Sequence, residues 1–396
     1  MTDTTIAPTK TLGRAERLKQ LPPYLFAEID KAKRAARQAG KPIIDFGVGD
    51  PDLPTPPHII KRLAEAAQDP ANHRYALDQG LPELRQAIAA WYQQRQQVTL
   101  DPQTEILPLI GSKEGIAHAP LALANPGDVV LIPEPGYPPY RSGTLFAGAE
   151  PVAMPLVEEN GFLPDLGGIS QRAARRAKLL FLNYPNNPTA TLANAAFYAE
   201  AIALAREYQF YIAQDAAYAE ICFDGGHPVP FLSIPGAKET GVEFHSLSKT
   251  YNMTGWRIGW VAGNAQVIAA IGQLKANIDS GIFQAVQWAG IEALQGDQQP
   301  LQQAVATYQR RRDLLVDGLI ALGWAVTKPK ATFYVWAKCP QNTTSIAYAR
   351  RLLDEVSLVV TPGVGFGPSG EGYIRWALTV PEPQIQEALD RLKKLG

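Results

Sequence analysis

The sequence predicts an α/β protein, a large domain built on a mostly parallel sheet flanked by helices, plus a smaller α+β domain. Strand-like and helical segments alternate between about residues 43 and 250, the pattern that successive βαβ units produce. A long amphipathic helix over residues 301–322 then gives way to short strands, which marks a change of architecture. With 396 residues, 46% of them hydrophobic, the chain buries a large core without disulfide or metal staples.

The elements follow in order. The first ten residues carry Asp3 and no apolar stretch, which predicts a tail and not a signal peptide. Residues 12–39 are polar, basic and helical in period, and residues 43–46 read as a short strand running into Gly47-Val48-Gly49-Asp50-Pro51. Helices are expected over 58–68, 82–96, 113–124 and 194–208, and strands over 105–110, 128–132, 178–183, 210–214 and 243–246. After the 301–322 helix come strands at 333–337, 358–361 and 373–379. The expected division is an N-terminal arm and part of the small domain in 1–55, a large domain in 56–298 and the small C-terminal domain in 299–396.

Charge excludes further classes. Lys and Arg number 37 against 38 Asp and Glu, a net charge of −1, which gives no electrostatic footprint for nucleic acid or an anionic membrane. The charge-free run 258–274 is broken by Gly, Asn and Gln and is marginal for a bilayer, so a soluble protein is expected. Cys222 and Cys339 are far apart and form no CxxC, which fits a reduced, cytoplasmic compartment. The five histidines show no metal-ligand spacing.

In open α/β sheets the ligand crevice lies outside the carboxyl ends of the strands. The residues found there form a consistent set: Gly111, Ser112 and Lys113 opening a helix, Tyr184-Pro185-Asn186-Asn187-Pro188-Thr189, Asp215 with Tyr218, and Ser246, Ser248, Lys249 and Arg257. A helix start, hydroxyls and an arginine suit a phosphate. A phosphorylated cofactor is the inference.

The segment His245-Ser246-Leu247-Ser248-Lys249-Thr250-Tyr251-Asn252-Met253-Thr254-Gly255-Trp256-Arg257-Ile258-Gly259 resembles the active-site lysine region of the class I/II, fold type I, pyridoxal-phosphate aminotransferases, as does Asn186-Asn187-Pro188-Thr189. The likeness runs from about residue 21 to the C-terminus. Gly47-Val48-Gly49-Asp50-Pro51, Tyr75 followed by Gly80-Leu81-Pro82-Glu83-Leu84-Arg85, and Pro135-Gly136-Tyr137-Pro138 look most like the LL-diaminopimelate aminotransferase-like branch. The resemblance implies pyridoxal 5'-phosphate held covalently by Lys249, which also moves the substrate proton. It implies Asp215 at the pyridine nitrogen, Tyr218 and Asn187 at the ring oxygen, Tyr137 stacked on the ring, and Ser112, Lys113, Ser246 and Arg257 around the phosphate. Tyr75 matches a tyrosine reaching the phosphate from a neighbouring subunit, which implies a homodimer. Arg375 matches the arginine that holds the substrate α-carboxylate bidentately, with the Gly49 backbone closing over it and the small domain acting as a lid. Lys113, Asn277 and Tyr24 are candidate side-chain selectors. The implied substrates are an amino acid and a 2-oxo acid, LL-diaminopimelate with 2-oxoglutarate on the branch resemblance, which points to lysine biosynthesis; alanine, aspartate and aromatic amino acids remain open. Ala190 stands where the family often has glycine, and Ala216 where relatives are commonly acidic.

Other readings compete. Gly365-Phe366-Gly367-Pro368-Ser369-Gly370 fits GxGxxG, but strand-like text follows it where a nucleotide-binding loop needs a helix. Ser246-Leu247-Ser248-Lys249 fits the SxxK of serine acyl hydrolases, yet the SDN and KTG strings of that class do not occur. A non-catalytic binding protein of the same fold has no need of Lys249, Asp215 and Arg375 together.

Overall fold

The computed structural model describes residues 13–21, 25–76, 79–340 and 343–395, the side chains of 25–28 excepted. The tail expected over the first ten residues, and Tyr24, lie outside them. Twelve strands occur among the described residues: β1 (Ile44–Asp45), β2 (Ile106–Leu109), β3 (Val129–Glu134), β4 (Glu150–Pro155), β5 (Ala177–Asn183), β6 (Tyr211–Asp215), β7 (Gly241–Ser246), β8 (Gly259–Gly263), β9 (Tyr334–Lys338), β10 (Leu358–Val359), β11 (Thr361–Pro362) and β12 (Tyr373–Ala377). Seven of them form the central sheet in the order β2-β8-β7-β6-β5-β3-β4. The neighbours from β4 to β7 pair in parallel, and β8 alone runs against the rest. This is the mostly parallel sheet the alternation predicts.

Helices cover both faces, so these strands read as near-continuous apolar runs. Side chains alternate between two cores: Leu131, Leu180, Leu182 and Ile212 pack with Phe197 and Ala201 of the Ala195–Tyr208 helix, whereas Val130, Phe181, Ala213 and Phe244 pack with Ile116 of Ser112–Leu123 and Ile271 of Ala265–Ala276. All of β3 is buried.

A third core joins the two ends of the chain. β1 pairs in parallel with β10, Ile44 opposite Leu358, and the three-stranded sheet β11-β12-β9 stands beside them. Phe46 meets Trp376 edge-on at 5.1 Å, and Leu315 and Val316 of the Gln299–Ala321 helix pack into the same cluster. Arg311 on that helix binds both oxygens of Asp52 at 2.7 and 2.9 Å, tying down the chain that follows β1.

Several expectations are corrected. The helical text over 12–39 forms two helices, Glu16–Lys19 and Leu25–Gln38, with Pro22 and Pro23 between them in the sequence, residues that break a helix interior. The charge-free run 258–274 is β8 followed by the Ala265–Ala276 helix, parted at Gly263 and capped by Asn264, whose side chain accepts from the Gln266 and Val267 N–H groups. No helix of the described residues is long and apolar enough to cross a membrane. The expected strand 358–361 is β10 and β11, which belong to different sheets. Pro138–Phe146 is helical although it opens on two prolines, which the first helical turn accepts because its N–H groups have no partner inside the helix.

Trp376 is fully buried at the junction of the chain ends. Trp376→Ala is expected to cost about 3–5 kcal/mol and to lower the urea unfolding midpoint, whereas Ile346→Ala, at a residue 53% exposed, leaves it within error.

Candidate active site

The polar residues gather at the carboxyl end of the sheet, where β2, β5, β6 and β7 finish. After β2 the chain turns through Gly111 at φ +76°, where a Cβ would stand 2.3 Å from Arg257 Nη2. Only glycine lets the guanidinium lie against the start of the Ser112–Leu123 helix. Gly259 at the start of β8 is pressed on the same spot, its ideal Cβ 2.9 Å from the Ser112 nitrogen. Arg257 Nη1 donates to Thr254 O at 2.8 Å and to Ser248 Oγ at 3.5 Å; no carboxylate among the described residues pairs with it. Ser246 Oγ accepts from the Ser248 N–H at 3.2 Å, capping the turn that carries Lys249. A helix start, hydroxyls and a guanidinium with no carboxylate partner, brought side by side, make an anion cradle. Lys113 is exposed beside it.

Lys249 Nζ donates to Gly49 O at 3.0 Å. Burial pushes its pKa down to about 8, with Arg375 and Arg257 acting the same way and Asp50 and Asp215 opposing. Its amine bonds Gly49 and not a serine hydroxyl, so the nucleophile–base pair required by the SxxK reading is not formed. At the end of β6, Asp215 accepts from Tyr140 Oη at 2.8 Å and from the Ala217 N–H at 3.2 Å. Burial pushes it up to about 6 against those two bonds. Burial, and then Asp215 itself, hold the Tyr140 hydroxyl far above its ordinary range, so it stays a neutral donor.

Arg375 on β12 is 3% exposed. Nη1 donates to Asn187 Oδ1 at 2.9 Å and Nη2 to Gly47 O at 3.0 Å, while Nε is buried without a partner. Its Cζ lies over the ring of Tyr334, at 4.1 Å, and over that of Phe366, at 4.8 Å. No carboxylate of the described residues neutralises it. A guanidinium only donates, so Asn187 presents its amide oxygen there and keeps Nδ2 for a ligand. Tyr218 is 6% exposed, its hydroxyl 3.0 Å from that of Tyr334.

The structure thus brings together Gly49, Ser112, Asn187, Asp215, Tyr218, Ser246, Lys249, Arg257 and Arg375. Tyr137 is half-buried and meets Tyr140 edge-on at 5.8 Å. Tyr75 is 84% exposed. Asn277 is exposed and bonds back to Gln273 O. His245 is buried, stacked on Trp260 at 5.1 Å and bonded to Glu243. Among the described residues no group of three His, Cys, Asp or Glu side chains forms a metal site. The GxGxxG string makes two short turns that carry Phe366 to Arg375 and Ser369 Oγ to Glu134 at 2.9 Å. Ala190 adopts φ +60°, a left-handed conformation that costs a residue with a Cβ about 1–2 kcal/mol.

Sequence reasoning missed Tyr140, Tyr334 and Phe366. Tyr140 lies three residues after Tyr137, the residue that precedes the Pro138–Phe146 helix, and its role shows only once Asp215 stands beside its hydroxyl. Tyr334 and Phe366 carry no motif and are placed only by the fold.

The chain matches the aminotransferase class I and II family over residues 41–392 and belongs to it. It is similar to LL-diaminopimelate aminotransferases, with 53% identity over 384 residues to that of Moorella thermoacetica, covering 97% of this chain and 98% of the relative, and 54% over 383 residues to that of Syntrophobacter fumaroxidans, covering 97% and 99%. Among solved structures, substrate-bound BacF from Bacillus subtilis superposes with a TM-score of 0.93 at 40% identity, covering 98% of each chain. The fold is therefore fold type I, and the protein is an aminotransferase whose cofactor is pyridoxal 5'-phosphate. The cleft fits that group: a cradle for its phosphate, a buried carboxylate with only neutral bonding partners for its protonated nitrogen, and an amine of lowered pKa for its aldehyde.

In cofactor-free protein, reductive methylation of Lys249, followed by peptide mass spectrometry, is expected to accelerate with a midpoint near pH 8, because the amine is protonated and inert below its pKa of about 8. A midpoint in the ordinary lysine range, above about 10, contradicts the effect of burial.

Proposed function

We propose that this chain is an LL-diaminopimelate aminotransferase that passes the amino group to 2-oxoglutarate in lysine biosynthesis, as a cytoplasmic homodimer. The carrying observation is that Arg375 and Lys249 bond carbonyls two residues apart, Gly47 O and Gly49 O. Two residues span at most about 7 Å, so the guanidinium and the amine face one short stretch of backbone, the juxtaposition that a carboxylate anchor and a reacting amine for one α-amino acid require. The choice of substrate is supported by near full-length identity to relatives bearing that name. Two free cysteines fit a reducing compartment.

Bound in the cleft, pyridoxal phosphate supplies an aldehyde that condenses with amines and a ring that accepts the electron pair left on the substrate carbon. Ser112, Lys113, Ser246 and Arg257, with the helix start, would hold its phosphate, and the partner subunit would add its copy of Tyr75. Tyr137 would cover the ring. Asp215, kept in place by Tyr140, would hold a proton at the ring nitrogen, and Tyr218 and Asn187 would donate to the ring oxygen. Arg375 grips the substrate α-carboxylate with both arms of its fork, which fixes the Cα–H bond relative to Lys249. Lys249 Nζ takes the Cα proton and returns it during transfer. Its pKa of about 8 leaves a useful neutral fraction near neutrality.

A half-reaction screen of amino acids, following loss of the visible absorbance of the lysine-held cofactor, is expected to rank LL-diaminopimelate first. Lys249→Ala abolishes both turnover and that absorbance without unfolding the protein. Preference for aspartate, alanine or an aromatic donor overturns the substrate assignment; turnover in Lys249→Ala overturns the mechanism. Arg375→Lys keeps the charge and loses the fork, and is expected to raise KM for every amino acid by about 10-fold or more. An effect confined to one donor contradicts α-carboxylate binding.

A further inference from the structure

Tyr334, the first residue of β9, is 2% exposed, and its hydroxyl stands where three parts of the cleft meet. It lies 3.0 Å from the Tyr218 hydroxyl. A Cβ at position 49 would fall 2.0 Å from it, so the Gly49 backbone that accepts the Lys249 amine rests directly on this oxygen. The same side chain carries Arg375 on its ring face at 4.1 Å. Sheet register explains the meeting: Tyr334 pairs with Ala377 and Trp336 with Arg375, so Tyr334 and Arg375 are diagonal neighbours on one face of an antiparallel pair.

Two hydroxyls share this hydrogen bond, and only one of them donates. If Tyr218 gave its proton to Tyr334, it would have none for the cleft. At 3.0 Å either oxygen can donate, and the positive charge of Arg375, which lies over the Tyr334 ring at 4.1 Å, stabilises the electron density that a donated proton leaves behind and so favours Tyr334 as the donor. A hydroxyl that accepts a hydrogen bond is in turn a stronger donor.

We propose that Tyr334 is a positioning residue with two separable parts: its hydroxyl donates to Tyr218 and aims that residue's proton into the cleft, and its ring holds the Arg375 fork in the plane that receives a carboxylate. The hydroxyl part rests on the reading of Tyr218 as a donor to the cofactor ring oxygen.

The two parts are tested in holoenzyme by two readouts other than turnover. The first is the pH midpoint at which the visible band of the lysine-held cofactor changes, and the second is calorimetric affinity for 2-oxoglutarate in that form. A donor at the ring oxygen withdraws electrons that would otherwise bind a proton, so losing it raises the midpoint. Tyr334→Phe is expected to raise the midpoint by about one pH unit and to leave 2-oxoglutarate affinity within about threefold, because the ring remains. Tyr334→Leu raises the midpoint likewise and weakens 2-oxoglutarate by about tenfold or more. An unchanged midpoint in Tyr334→Phe, with Tyr218→Phe shifting it, overturns the hydroxyl part while the reading of Tyr218 survives. An unchanged midpoint in Tyr218→Phe overturns that reading and the hydroxyl part with it. Unchanged affinity in Tyr334→Leu overturns the ring part.

Discussion

Burying a guanidinium with no counter-ion costs several kcal/mol even after relaxation, and Arg375 is held in that condition by groups from three distant stretches of chain. Gly47 follows β1, Asn187 follows β5, and Tyr334 begins β9. The two oxygens satisfy part of its donor set and the two rings shield its faces, but none of them carries a negative charge. The resulting deficit is what a carboxylate ligand relieves. The geometry also explains the lack of side chains at 47 and 49: a Cβ at 47 would press on Val359 Cγ1 at 3.2 Å and Asp45 Oδ1 at 3.3 Å, and one at 49 would fall 2.0 Å from the Tyr334 hydroxyl.

Burial acts on the two titrating groups of the cleft in opposite directions and for the same reason. It disfavours charge, so the amine of Lys249 falls to about 8 and the carboxyl of Asp215 rises to about 6. Each group therefore stands closer to neutrality than it does in water. For Lys249 the result is an amine with a neutral fraction near neutral pH, the state that the proposed nucleophile and base requires. For Asp215 the result is a carboxylate that a positive partner, such as the ring nitrogen of the proposed arrangement, would stabilise.

The order of strands and helices was legible because the patterns of the large domain are simple: Pro82–Gln96 begins and ends where its pattern says, and β3 and β5 are largely apolar runs bounded by polar residues. The strand-end rule located the groups around Lys249, since each lies within a few residues of a strand's end. Boundaries failed where local signals conflict, as over 12–39, where two helices stand in one stretch of helical text, and over 358–361, where one expected strand divides between two sheets. The contributions of Tyr140, Tyr334 and Phe366 were not legible as roles because each acts through a partner remote in sequence. A tyrosine reads as core packing until the atom beside its hydroxyl is known.

The pairing of β1 with β10, and of Gly47 with Arg375 across 328 positions of sequence, has a consequence for biosynthesis on the ribosome. The central sheet closes once β8 has emerged, whereas the Arg375 guanidinium joins Gly47 and Asn187 only after β12 has left the exit tunnel. The nascent protein thus brings Lys249, Asp215 and Arg257 together well before Arg375 can complete the cleft.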